Sequence, residues 1–175
     1  MTSSTTKKII RPQAFTLIEL LVVISIIAIL ASLAFPAIGG AMDSAKKAQA
    51  KNNAVQIASA VVAYETEYGK LPLTTATAAS KAMMDILTGI NTNSDANPRG
   101  IVFIEATEWR KGKGGTNDNG YCDPWTNGVA YSMALDAEYD NTITAGTNGQ
   151  SLRKKVGVWN VPGAANSRRY VNSWD

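Results

Sequence analysis

Phe15-Thr16-Leu17-Ile18-Glu19-Leu20-Leu21-Val22-Val23-Ile24-Ser25-Ile26-Ile27-Ala28-Ile29-Leu30-Ala31-Ser32-Leu33-Ala34-Phe35-Pro36 is the stretch on which the fold turns. Between Phe15 and Phe35 only Thr16, Glu19, Ser25 and Ser32 carry polar groups beyond the backbone. Wound as a helix, these roughly 21 residues reach about 31 Å, the thickness of one bilayer hydrocarbon core. Glu19 is foreign to that solvent. An unpaired carboxylate in hydrocarbon is costly enough that Glu19 must have a partner or a task.

On the N-terminal side, residues 1–14 are polar and rich in Ser and Thr, with Lys7, Lys8 and Arg11 and no acidic residue. This bias places the leader in the cytoplasm and sends the C-terminal side across the membrane. The apolar run is longer than the h-region of an ordinary secretory signal, about 7–15 residues, and no clear small-x-small cleavage site with an obvious mature start follows it. The chain of 175 residues holds 17 basic and 14 acidic side chains, a formal charge of +3. The leader accounts for all of that excess, so a chain beginning at Phe15 is formally neutral. The incentive to bind nucleic acid goes with it.

On the C-terminal side, Pro36 and then Gly39-Gly40 predict a kink or a loosened turn. Ala54, Val55, Ile57, Ala58, Val61, Val62, Tyr64 and Tyr68 then recur at spacings of three and four, one apolar stripe on a helix. Gly69 and Pro72 supply its stop. Residues 15–36 therefore read as a transmembrane and assembly helix, 37–72 as its amphipathic continuation, and 73–175 as a small globular domain. In that domain Ser80 is the expected N-cap of a short helix ending at Leu87. Asn91–Gly100 reads as a turn cluster and Gly112–Gly120 as a loop without internal pattern. Strands are expected at Ile101–Ile104, Val129–Leu135 and Val156–Trp159. A small antiparallel sheet against the amphipathic half-helix makes the fold class α+β.

The inventory of reactive side chains is thin. Histidine is absent, and Cys122 is the single cysteine, so neither an internal disulfide nor a His-Cys zinc site can form. No carboxylate pair or Ser-Lys constellation stands out, which disfavours a membrane-anchored enzyme. No cofactor is expected, with one candidate exception. Asp136, Glu138 and Asp140 alternate like the opening of a calcium loop, although the sixth position lacks glycine and the twelfth is Thr147. The competing reading of that segment is a solvated turn between strands. Arg153-Lys154-Lys155 and Arg168-Arg169 are the clusters a nucleic acid would use, with Trp109, Tyr170 and Trp174 as stacking surfaces. The neutral balance favours solvated faces or subunit contacts instead, and Trp125, Trp159 and Trp174 read as core or interface anchors.

Basic leader, Ala14, Phe15, the Thr16-Leu17-Ile18-Glu19 run, the apolar segment and Pro36 together resemble the N-terminus of type IV pilin-like precursors. The likeness is close over about the first 60 residues. It implies cleavage by a prepilin peptidase between Ala14 and Phe15 and methylation of the new Phe15 amine, with Phe15, Glu19 and Pro36 as assembly residues. The family usually has Gly where this chain has Ala14. The freed amine would be a cation within the membrane, and Glu19, one helical turn along, can neutralise the amine of a neighbouring subunit.

The implied partners are identical or related pilin-like subunits, the peptidase, an inner-membrane assembly platform and the lipid bilayer. The implied location is the bacterial inner membrane, crossed once with the C-terminal domain outside the cytoplasm, and then a periplasmic or surface filament. Tyr68-Gly69-Lys70-Leu71-Pro72, Asp123-Pro124-Trp125 and Asn172-Ser173-Trp174 are further similar to segments of the major pseudopilins of type II secretion. Those proteins commonly hold calcium in an Asp-rich C-terminal loop, yet Val161–Ser173 here contains no acidic residue. Many adhesive pilins close a C-terminal disulfide, which a lone Cys122 cannot do. The resemblance thus points to a pseudopilin, the alternative being a pilus subunit for adhesion, motility or DNA uptake.

Overall fold

A computed structural model describes residues 15–90, 95–125, 128–161 and 167–175. The leader, Ala14 and the start of the expected turn at Asn91 lie outside the described residues. The chain forms two compact units, up to Met42 and from Asp43 onward, and helix α1 (Leu17–Tyr68) contributes to both. The architecture is α+β: one long helix, small antiparallel sheets and a short second helix.

In the first unit α1 remains helical through Pro36, Gly39 and Gly40, where the sequence suggests a kink or a loosened turn. Proline lacks only the N–H that would bond the preceding turn, and the bonds on either side keep the helix going. Ser25 and Ser32 return their hydroxyls to the carbonyls of Leu21 and Ile29, both at 2.7 Å. This is how a hydroxyl is accommodated where water is scarce.

In the second unit α1 buries Ala50, Asn53, Ala54, Ile57, Ala60, Val61 and Tyr64. Their spacing of three and four is the expected stripe, rotated slightly. Val55 and Val62 belong to the solvent side, because each is one residue, about 100° of helix, past a buried position. Gly69 ends the helix with φ 66°, its N–H reaching the carbonyl of Glu65 at 2.8 Å.

Helix α2 (Lys81–Leu87) begins at Ser80, whose hydroxyl accepts from the Met83 N–H, and it buries Met83, Met84, Ile86 and Leu87 against the α1 stripe. Ile101–Ile104 is not a strand. The N–H groups of Phe103 and Ile104 both donate to the carbonyl of Leu87, at 2.8 and 3.3 Å. The segment is a plug on the end of α2, with Phe103 edge-on to Tyr64 and Tyr68.

Among the described residues six strands form three antiparallel pairs: β1 (Gly115–Asn117) with β2 (Gly120–Cys122), β3 (Ser132–Leu135) with β6 (Val156–Trp159), and β4 (Ile143–Ala145) with β5 (Gln150–Leu152). Val156–Trp159 matches expectation, and β3 lies within the expected Val129–Leu135. The 112–120 segment is no mere loop, since it contains β1 and a two-residue turn into β2. Gly120 makes that turn possible. Its φ is 119°, and a Cβ there would lie 2.1 Å from the carbonyl oxygen of Ala79. Residues 77–79 stitch the pairs together: the Tyr121 N–H donates to the Ala79 carbonyl, the Ala79 N–H to that of Tyr131, and the Met133 N–H to that of Thr77.

Candidate functional site

The site begins at Phe15. Every large apolar side chain from Phe15 to Phe35 is at least 46 % exposed, so none of the described residues covers this face. Among the described residues α1 is the helix long and apolar enough to cross a membrane. Aqueous exposure of such a surface is too costly to be its resting state.

At the head of the helix, Thr16 and Glu19 are joined reciprocally. The Thr16 N–H and Oγ1–H donate to Glu19 Oε2 at 2.9 and 2.7 Å, and the Glu19 N–H returns to Thr16 Oγ1 at 3.3 Å. This is a capping box, in which Thr16 is the N-cap and Glu19 the third helical residue. Sequence reasoning took Glu19 only as a charge and missed Thr16, although the Thr-x-x-Glu spacing is itself the signal. The box aims the carboxylate at the chain's own amino-terminal side. Both bonds from Thr16 fall on Oε2, and an ionised carboxylate has lone pairs to spare for a second donor.

The second unit contains two networks relevant to the other expected sites. Asp136 is buried, and its carboxylate accepts the N–H groups of Asp140 at 3.0 Å and Asn141 at 2.7 Å. Asp140 in turn accepts from the Thr142 N–H at 2.7 Å, while Glu138 is exposed. Tyr139 and Asn141 take left-handed backbone, φ 59° and 61°. The segment is a tight turn anchored on Asp136, whose two oxygens each accept one N–H and each keep a further lone pair. Among the described residues no three His, Cys, Asp or Glu side chains stand together as a metal cluster would.

The other network is built on Asp123, in the Asp123-Pro124-Trp125 turn. Its carboxylate accepts from the Trp125 N–H at 3.0 Å and from Asn160 Nδ2 at 2.9 Å. Asn160 also donates to the Arg169 carbonyl and accepts from the Val171 N–H, both at 2.9 Å. Trp125 reaches back to Asp43 on α1 at 3.2 Å, and Arg169 lies over the Trp125 ring at 5.7 Å. Trp159 and Trp174 meet edge to face, with ring centroids 6.0 Å apart. All three tryptophans are thus half-buried anchors within the unit. Cys122 is buried, and its thiol is pushed up from the usual range by that burial. A thiol so placed is packing, not chemistry.

The family model of the prokaryotic N-terminal methylation motif matches residues 11–35. No curated protein and no solved structure matches the chain. The motif match supports a type IV pilin-like precursor, and with it processing by a prepilin peptidase and assembly with pilin-like subunits. It also points to a structural subunit, and the apolar helix fits a membrane-anchored protein.

Proposed function

We propose that the chain is the precursor of a pseudopilin, a structural subunit of a type II secretion-like filament, cut between Ala14 and Phe15 and methylated on the Phe15 amine. The observation that carries this reading is the uncovered apolar helix whose first turn holds the carboxylate of Glu19 in a capping box, inside the matched motif. A lone anchor would use this acid only to cap its first turn. A bundle of helices does, because each new amine brings a cation that the neighbour's Glu19 can neutralise as both leave water. Residues 15–36 then serve as anchor and assembly face, while the unit from Asp43 onward stands outside the cytoplasm. The pseudopilin assignment over a pilus subunit rests on the lone, buried Cys122 and on the sequence likenesses at residues 68–72, 123–125 and 172–174.

The test is coexpression with a prepilin peptidase followed by mass analysis of the N-terminus. A methylated Phe15 is expected; an intact Met1, or a cut beyond the apolar run, would overturn the reading. Expression beside a reconstituted secretion platform or a pilus platform separates the two machines, since filaments should form with the first.

A further inference from the structure

The cations of the second unit are not spread evenly. The turn Arg110-Lys111-Gly112-Lys113 is pinned by the Lys113 and Gly114 N–H groups, which donate to the Arg110 carbonyl, and by the Gly112 N–H, which donates to that of Pro124 at 3.1 Å. A Cβ at Gly112 would touch Lys46 Cε of α1 at 3.7 Å. One residue past Pro124, Trp125 binds Asp43 and lies under Arg169. Arg168, beside Arg169 in a 3-10 turn (Ser167–Arg169), is exposed, as are Arg110, Lys111 and Lys113. Lys46, Arg110, Lys111, Lys113, Arg168 and Arg169 therefore share one end of the unit, grouped around the residue where α1 enters it. The acids there are Asp43, Glu108 and Asp123, the last buried and accepting from the Trp125 N–H and Asn160 Nδ2. Asp43 is engaged by Trp125 and, at 3.8 Å, by Arg169, and Glu108 borders the turn.

We infer that this basic collar binds the anionic headgroups of phospholipids on the membrane surface from which α1 emerges. The inference rests on the membrane-anchored reading above. Between Glu19 and Asp43 the sequence has no charged residue, and Asp43 follows Phe35 in the chain by eight residues. So short a tether keeps this end of the unit close to the headgroup layer of the membrane that residues 15–36 would cross. The rest of the mature chain is balanced or acidic by comparison, so the attraction is local and would orient the unit against the bilayer. Nucleic acid offers the same phosphate chemistry, but it is not tethered to this end of the unit and the membrane is.

The full chain, reconstituted in nanodiscs of phosphatidylcholine alone or mixed with phosphatidylglycerol, provides the test. Amide exchange at residues 110–114 should be slowed at least about five-fold by phosphatidylglycerol, the factor expected from a single cation at an anionic surface. The slowing should vanish at 1 M salt, where the Debye length is about 3 Å. It should also vanish in Lys111→Gln/Lys113→Gln/Arg168→Gln, and persist in Arg153→Gln/Lys154→Gln, which removes charge elsewhere. Equal exchange in both discs, or equal loss in both variants, would overturn the inference, as would stronger protection by DNA in phosphatidylcholine discs. A chain that fails to enter either disc would instead overturn the anchor reading.

Discussion

Glu19 Oε2 lies 2.7 Å from Thr16 Oγ1 and 2.9 Å from the Thr16 backbone nitrogen. The acid is therefore held in place before any partner arrives. Removing the hydroxyl should release the carboxylate to other rotamers without removing its charge. We expect Thr16→Ala to insert in the membrane normally and enter filaments poorly, Thr16→Ser to assemble like the parent, and Glu19→Ala not to assemble. Crosslinking of subunits in membranes measures all three. Normal assembly of Thr16→Ala would show that the capping box does not position the acid.

Asn160 joins three segments that are distant in sequence, through Asp123, the Arg169 carbonyl and the Val171 N–H. Replacing it with alanine removes a bond to a buried carboxylate and strands two backbone groups. Asn160→Ala should cost about 3 kcal/mol, read as a shift in urea midpoint at unchanged slope. Asn160→Asp should be at least as harmful, because it faces Asp123 with a second negative charge.

Alkaline pH should unfold the second unit in a defined window. Burial pushes Tyr64, Tyr121 and Tyr131 above their ordinary value of 10.0. The unfolded chain then loses its phenolic protons first, so stability is whole below about pH 10 and falls as pH rises beyond it. Lys155 acts in the same direction. The hydrogen bond from its ammonium to Glu65 raises it above 10.5, so its contribution is present at neutral pH and lost as pH climbs through the raised value. Thermal melts from pH 8 to 12 should fall most steeply above 10, and Tyr131→Phe should reduce that slope. An unchanged slope in the variant would remove Tyr131 from the explanation.

Asp136 anchors its turn with two amide bonds, so the turn should be independent of metal. Chelator is expected to leave the melting temperature of the parent unchanged. Asp136→Ala should lower it by several degrees with or without calcium, consistent with loss of about 1–3 kcal/mol. A calcium-dependent rise in the parent that disappears in Asp136→Ala would instead establish the ion.

The sequence disclosed the long-range features and concealed the short ones. The α1 stripe from Ala54 to Tyr68 was legible because several turns of period 3.6 leave a repeated signal. Ile101–Ile104 misled because four apolar residues in a row have no period, and in the protein they cap a helix end. Strands β1, β2, β4 and β5 are each three residues long. That is too short to show alternation, and Gly115 and Gly120 contribute backbone in place of the side chains a pattern needs. Asp136 and Asp140 read alike as calcium ligands or as turn caps, because the same carboxylate can do either. The N–H groups four and five residues on, which the structure brings to Asp136, follow from backbone dihedrals that the sequence does not show.

The pairing of β3 with β6, and of Asn160 with Val171, has a bearing on when the second unit can fold. Residues 132–135 cannot complete their sheet until 156–159 are present, nor can Asp123 receive Asn160 until that same stretch has arrived. A chain emerging in order from N- to C-terminus would thus stay open through most of its synthesis and close late. If the second unit crosses a membrane as proposed, such a timetable leaves it open until its last segment has passed, and lets it close afterwards.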